Sequence, residues 1–272
     1  MAVLVKPEKQ INKISEANVL AVILDEGKGY TILGKSMIDW VAESVNDFTS
    51  VRINYKGEEI FQLVKEINVA CDYVLVLFDK TPLLTKAVID NVIDYCLFKN
   101  INACKLNNGY VFKMSYLKSA KNIFFDSIYL QDADEFYAVE NKKQLPFVSE
   151  ILQKRIFEKH LTNGVEIPNT KKVVIEPEVK IEKNVVILSG NVLKGNSHIC
   201  EGVILKENNI IENSTVEKDV CLSGSTILSS VIGEGSFVMP YCVIESCKIG
   251  KNCTIRSNNS LTKQKIKNNQ VI

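Results

Sequence analysis

Residues 175–210 read IEPEVK IEKNVV ILSGNV LKGNSH ICEGVI LKENNI, six blocks that each open on Ile or Leu. Ile211 opens a seventh. The fifth positions are Val179, Val185, Asn191, Ser197, Val203, Asn209 and Thr215, small, β-branched or short polar residues. An amphipathic helix would repeat about every 3.6 residues, and a meander would show Gly or Pro turns roughly every 8–12. Neither pattern fits. Six residues make one short strand and one corner, and three such units close a triangular coil. The stretch therefore predicts a parallel β-helix. Its aliphatic residues point inward and stack from coil to coil, each contributing roughly 1.5–3 kcal/mol of burial before entropy is charged.

The register then slips. Val216 follows Ile211 by five, Leu222 by six, and Ile227 and Ile232 by five. Val238 and Ile244 return to six, Ile249 is a step of five, and Ile255 and Leu261 close at six. Small polar residues at Asn213-Ser214-Thr215 and Ser229-Ser230 are expected to tighten two of the short corners. The Lys-rich tail after Leu261 is expected to cap the open coil end or to fray, since charge there discourages edge pairing. His198 precedes an inward Ile and should point outward, as a solvated corner residue.

Outward from the repeat, residues 18–160 alternate strands and helices. Asn18–Leu24 and Asp72–Phe78 are continuous apolar runs, as expected of strands buried on both faces, with Phe48–Asn54 a weaker third. Ser36–Val45 and Thr85–Phe98 carry helical spacing, with Thr85 as N-cap. This βαβ pattern predicts a parallel sheet. Lys142–Leu161 reads as a helix that Pro146 either kinks or starts. The expected organisation is an α/β domain over 1–141, a helical linker over 142–164 and the β-helix over 165–272.

The chain has 272 residues with 33 Lys+Arg against 32 Asp+Glu, a balance that gives no electrostatic footprint for nucleic acid. No apolar run reaches the roughly 18 residues of a membrane span, and no secretory leader is evident, so the expected location is the cytoplasm. The cysteines at 71, 96, 104, 200, 221, 242, 247 and 253 form no Cys-x-x-Cys pair. They read as small buried residues of a reducing compartment rather than zinc ligands. Ligands of parallel sheets bind at the carboxyl ends of strands. Two segments lie there, Asp25-Glu26-Gly27-Lys28-Gly29-Tyr30 and Asp79-Lys80-Thr81-Pro82. A Gly-x-Gly turn can cradle phosphate with backbone N–H groups, though loops often contain Gly, and Asp25 and Glu26 would repel a phosphate.

The order of these pieces resembles the N-acetylglucosamine-1-phosphate uridyltransferases, the bifunctional enzymes that make UDP-N-acetylglucosamine. Ala21–Leu24 followed by Gly27-Lys28-Gly29 is similar to the family's strand and nucleotide loop, and Gly34-Lys35-Ser36-Met37-Ile38 to its Gly-Lys-Pro-Met segment. Val74–Leu77 with Thr81–Thr85, and Ala138–Asn141 with Gln144-Leu145, resemble its two metal-site segments. Leu152–Ile156 and Asn163-Gly164-Val165 resemble the lead into its left-handed β-helix. The resemblance implies a shortened, divergent member: a truncated nucleotidyltransferase-like, Rossmann-like α/β domain followed by a left-handed β-helix of hexapeptide repeats, assembled as a homotrimer.

The departures fall on the chemistry. Asp25 and Glu26 replace two alanines of the nucleotide loop, Thr31 stands for an Arg, and the segment with the catalytic Lys is missing between Ile32 and Leu33. The uracil-reading segment has no counterpart. Ser127 replaces a sugar-binding Glu, ahead of a partial match at Tyr129-Leu130-x-Asp132. The candidate nucleotide and sugar contacts are thus Gly27, Lys28, Gly29, Asn107, Asn108, Gly109 and Tyr129. The family's Mg²⁺ lies between an Asp and an Asn, whose places hold Lys80 and Glu140. Lys80 can stand in for the cation by pairing with Glu140, if the two lie within about 6 Å. A one-residue shift bringing Asp79 into the site, or two unrelated solvated charges, are the rivals. Acetyl transfer in the family needs later coils, so no acetyltransferase site is assigned. The expected function is a relative with uridyltransferase chemistry reduced or lost, kept for nucleotide-sugar binding or assembly. An active sugar-1-phosphate nucleotidyltransferase using Mg²⁺ is the alternative, and a hexapeptide-repeat acyltransferase the second.

Overall fold

The computed structural model describes residues 3–5, 17–130 and 134–272. Asp132 lies outside them. The protein is a Rossmann-like α/β unit followed by a left-handed parallel β-helix. Backbone contacts divide the chain into Met1–Val148 and Ser149–Ile272.

In the first unit the strands are β1 (Val3–Val5), β2 (Val19–Asp25), a small hairpin of β3 (Thr31–Ile32) and β4 (Lys35–Ser36), β5 (Thr49–Asn54), β6 (Tyr73–Phe78), β7 (Ala103–Leu106), β8 (Gly109–Lys113) and β9 (Ser127–Tyr129). The helices are α1 (Met37–Ser44), α2 (Ile60–Lys65), α3 (Lys86–Phe98) and α4 (Met114–Ser119). The main sheet runs β1-β9-β7-β8-β6-β2-β5 among the described residues.

Alternation along β2 divides the core. Val19, Ala21 and Ile23 join Val41 of α1 and Val88, Ile89 and Val92 of α3 on one face. Leu20, Val22 and Leu24 join Val64 of α2 and Met114 and Leu117 of α4 on the other. Both faces are buried, which is why the strand reads as one apolar run. Thr85 caps α3 as expected, its hydroxyl accepting from the Val88 N–H.

The sheet is not wholly parallel. β8 runs antiparallel to both β6 and β7. Asn107 and Asn108 are the two residues that turn β7 into β8, and a tight turn can only reverse the chain. At Gly109 a Cβ would lie 2.6 Å from the Val76 carbonyl oxygen, so the strand pairing admits only glycine there.

Chain order fixes the crevice. From β2 the chain crosses through α1 to β5 on one side, then through α2 to β6 on the other, with β2 between them. The strand order reverses at β2, so its carboxyl end opens a crevice.

The long helix is α5 (Leu145–Thr162), preceded by a 3₁₀ turn at Lys142–Gln144. Pro146 sits in its first turn, where its missing N–H has no helical acceptor, so it starts the helix and does not kink it.

The β-helix stacks three columns of inward residues in strict register. One is Ile175, Leu193, Ile211, Ile227, Ile244 and Leu261. The second is Ile181, Ile199, Val216, Ile232, Ile249 and Ile266. The third is Ile187, Leu205, Leu222, Val238 and Ile255. The slips to five-residue steps leave the columns aligned because the loss falls in the corners.

Small inward residues sit two before each column residue, so after the first slip Ser214, not Thr215, is buried. Three before, the corner backbone turns left-handed, as at Asn184, Asn208, Asp219 and Asn252. Asn and Asp tolerate that conformation better than other non-glycine residues.

The tail does not fray. Ile266 continues a column, and the Ile272 N–H donates to the Thr254 carbonyl. Among the cysteines, Cys96, Cys104, Cys242, Cys247 and Cys253 are buried, whereas Cys71, Cys200 and Cys221 are part-exposed. No helix among the described residues is long and apolar enough to cross a membrane.

Candidate functional site

The crevice at the ends of β2 and β6 gathers six charged side chains. Asp25 ends β2, and its Oδ1 accepts from the Gly27 N–H at 2.8 Å, which folds the loop back. Gly27 and Gly29 have φ of +73° and +61° with open space where a Cβ would go, so the turn demands glycine for its backbone alone. Asp79 follows β6 and is fixed by its N–H donating to the Leu24 carbonyl at 2.9 Å. The Val139 N–H donates to the Lys80 carbonyl at 2.8 Å, which lays the 138–140 segment along the site. Gln144 Oε1 then accepts from the N–H groups of Glu140 and Asn141, holding Glu140 in place.

The result is a closed ion network. Lys80 Nζ lies 2.9 Å from Glu26 Oε1 and 3.1 Å from Glu140 Oε1. Lys28 Nζ contacts Glu140 Oε2 and lies 3.5 Å from Glu26 Oε2. Burial lowers both lysine pKa values, but hydrogen bonds and charge from Glu140 and Glu26 outweigh it, and both ammonium groups titrate above their ordinary range. The Lys28 and Lys80 hydrogen bonds and charges hold the Glu140 carboxyl below its ordinary range against desolvation.

Asp79 is the exception. It is 3% exposed, and its Oδ1 has no hydrogen-bond partner. Burial, then the neighbouring Asp25 and Glu26 carboxylates, push its pKa up to about 6, against one N–H from Glu26. A raised carboxyl pKa costs folding stability as pH rises from the unfolded value towards the folded one. Asp79→Asn is therefore expected to melt at a higher temperature than the unmutated chain at pH 7. Below about pH 3, where both states hold the proton, the difference should vanish.

Asp25, Gly27, Gly29, Tyr30, Ser36, Met37, Ile38 and Asp79 line an open cleft of about 110 Å³ beside this network. That volume takes a phosphate or part of a sugar ring, whereas whole drug-sized ligands occupy roughly 300–1,000 Å³. Four carboxyls against two ammonium groups give a rim that disfavours a polyphosphate.

The same geometry tests the metal that the resemblance implies. A cation between Glu26 and Glu140 would coincide with the Lys80 ammonium, which already bonds both carboxylates. Mg²⁺ needs near-octahedral oxygen ligation, and a fixed ammonium opposes it. The residues present do not fit Mg²⁺.

The other candidates do not join the cleft. Asn107 and Asn108 form the β7–β8 turn, with Asn108 Nδ2 donating to the Phe136 carbonyl at 2.8 Å. Tyr129 is buried in β9 against Tyr95, ring centroids 5.4 Å apart, and burial pushes its hydroxyl up to about 12. Ser127 bonds the Tyr95 hydroxyl at 2.8 Å. Sequence reading treated Glu26 only as a charge hostile to phosphate; the structure makes it the hub of both lysines. Its spacing from Lys28 was visible, but its pairing with Lys80 is long-range. Ser36, which caps α1 and lines the cleft, was read as the start of a helical stretch and as part of the Gly-Lys-Pro-Met-like segment, not as a site residue.

Residues 229–263 match the bacterial transferase hexapeptide (six repeats) family. The chain is similar to the bifunctional protein GlmU of Clostridium novyi, 37% identical over 123 residues, 45% of this chain and 27% of that one. GlmU of Alkaliphilus oremlandii is 33% identical over 158 residues, 56% of this chain and 35% of that one. The chain thus spans about a third of the length of the curated relatives it matches. A variant of the GDP-perosamine N-acetyltransferase of Caulobacter crescentus, in complex with CoA and GDP-perosamine, aligns over 94% of this chain and 93% of its own at 10% identity and a TM-score of 0.38.

Proposed function

We propose that this protein is a divergent relative of the UDP-N-acetylglucosamine pyrophosphorylases, with uridyltransferase chemistry reduced or lost, kept as a nucleotide-sugar-binding and assembly protein. The observation that carries the reading is the Lys80 ammonium held between Glu26 and Glu140. In the uridyltransferase reaction a sugar-phosphate oxygen attacks the α-phosphorus of UTP in line, and pyrophosphate leaves. That step needs cationic charge free to meet the phosphates. Here Lys28 and Lys80 are both neutralised by carboxylates. Asp25 and Asp79, the latter's carboxyl raised to about 6, present carboxylate acceptors to sugar hydroxyls instead.

Incubation with UTP, Mg²⁺ and N-acetylglucosamine 1-phosphate is expected to release no pyrophosphate above a no-enzyme control. Release well above it would establish the active alternative. Calorimetry with UDP-N-acetylglucosamine is expected to show binding; its absence removes the nucleotide-sugar half of the proposal. A thermal shift with acetyl-CoA would favour the acyltransferase reading.

The β-helix supports the assembly half. On one face the outward residues Val186, Ile204, Cys221 and Phe237 stand in register, with Ile204 42% exposed. A second face presents Val174, Val192, Ile210 and Val243, interrupted by Thr226. The third carries Lys180, His198, Thr215, Lys248 and Lys265 around Val231. A closed threefold ring joins two different patches of each subunit, and two apolar faces supply them. The expected mass by light scattering is three times that of the chain. Ile204→Glu is expected to shift it towards the monomer, since a carboxylate in that interface would be desolvated without a partner. A monomeric unmutated protein refutes the assembly.

A further inference from the structure

We propose that Glu182, His198 and Cys200 form a binding site for a divalent cation of the zinc class on the outer face of the β-helix. The placement follows from the repeat. His198 and Cys200 flank inward Ile199, so both point out. Ile181 pairs with Ile199 in the preceding coil, which sets Glu182 in the same column as Cys200. One carboxylate oxygen, one imidazole nitrogen and one sulfur thus come within 4.8 Å of one another. His198 Nε2 and Glu182 Oε1 are already 3.0 Å apart. Tetrahedral zinc, with bonds of about 2.0–2.3 Å, needs its donors roughly 3.3–3.8 Å apart, a small rotamer adjustment from this arrangement.

The surroundings organise the donors. Glu182 Oε2 accepts from the Glu201 N–H at 2.9 Å, which orients the carboxylate and leaves Oε1 towards His198. Such outer contacts fix the geometry of metal-binding carboxylates. Ile199 also pairs with Val216 in the next coil, so Glu217 continues the column beyond Cys200. Its Oε2 accepts from the Glu234 N–H at 3.0 Å, the same arrangement one coil on. Glu217 lies one coil further along that column, outside the cluster of three donors.

Nitrogen, sulfur and carboxylate oxygen together select borderline cations such as Zn²⁺ and Co²⁺ over Mg²⁺ and Ca²⁺. Burial, then Glu182 and Glu217, raise the Cys200 thiol pKa against the opposing charge of Lys218. Without a cation the thiol therefore keeps its proton. A bound cation reverses that balance, so binding releases the proton and tightens as pH rises. A part-exposed His–Glu hydrogen bond alone would neither engage the sulfur nor release a proton.

Cobalt titration of the full-length, reduced, chelator-stripped protein tests the site. One equivalent of Co²⁺ per chain is expected to give a near-ultraviolet thiolate charge-transfer band that Zn²⁺ abolishes. Cys200→Ser should lose the band, and His198→Ala should weaken binding by about tenfold or more. The Cys71→Ser/Cys221→Ser variant, which removes the other part-exposed thiols, should keep it. All these side chains lie outside the buried core, and far-ultraviolet dichroism reports whether each variant folds. The proposal is overturned by an absent band, by a band that survives Cys200→Ser, or by unchanged affinity in His198→Ala.

Discussion

Replacing Asn209 with Leu is expected to lower the unfolding free energy of the β-helix by about 3 kcal/mol, although the side chains are close in size. Asn209 is fully buried, one rung of a polar ladder that climbs a corner through Asn191, Asn209, Ser225 and Cys242. Its Nδ2 donates to Asn191 Oδ1 at 2.9 Å and to the Lys206 carbonyl at 2.8 Å. Its Oδ1 accepts from the Ser225 N–H at 3.0 Å. Leucine leaves a buried N–H and two buried acceptors without this partner, and each such loss costs roughly 1–3 kcal/mol before relaxation. A second corner carries Ser197, Ser214, Ser230 and Cys247 in the same way. There Ser230→Ala should cost about 1–2 kcal/mol. Urea unfolding followed by circular dichroism reads both values. Equal midpoints for Asn209→Leu and the unmutated chain would show that the ladder contributes nothing.

Lys80→Asp is expected to convert the ion network into a cation site. The substitution places a fifth carboxyl beside Asp25, Glu26, Asp79 and Glu140 and removes the ammonium that bridges two of them. Breaking a fully buried pair costs roughly 3–5 kcal/mol and an exposed one at most about 1. Lys80 is only 15% exposed whereas Glu140 is 53% exposed, so about 2 kcal/mol is expected, enlarged by repulsion among the carboxylates. Millimolar Mg²⁺ should restore the loss, since hard oxygen ligands then surround the vacated position. The unmutated protein should show no such stabilisation. Differential scanning calorimetry with and without Mg²⁺ decides it: equal Mg²⁺ responses in the two proteins refute the idea that Lys80 substitutes for the metal.

The sequence made some of this legible and hid the rest. Inward positions of the β-helix were readable because stacking imposes a period on the chain itself. The crevice was readable to the level of two loops, because strand ends are local. Lys80 and Glu140 could be paired on resemblance, and they lie 3.1 Å apart. The share taken by Glu26 and Lys28 could not be read, because it depends on how the loop after β2 folds over β6. Asn107, Asn108 and Tyr129 show the opposite failure. Polar and aromatic residues near a strand end look like ligand contacts, yet here they serve a turn and a core. The mixed sheet has the same origin: two residues between β7 and β8 permit only a reversal, and their apolar runs do not disclose where the strands end.

By itself, the sequence determined the coil. Burying one aliphatic side chain every five or six residues admits a single architecture, and small or polar residues at the corners set its register. Tertiary structure alone decided the chemistry of both charged clusters. Glu26, Lys28, Lys80 and Glu140 span 115 positions from first to last by their numbering, and Glu182 lies one coil before His198 and Cys200. Contact ion pairs, hydrogen bonds and metal ligation act only over a few ångströms, so which groups neutralise, protonate or chelate one another depends on distances that only folding sets.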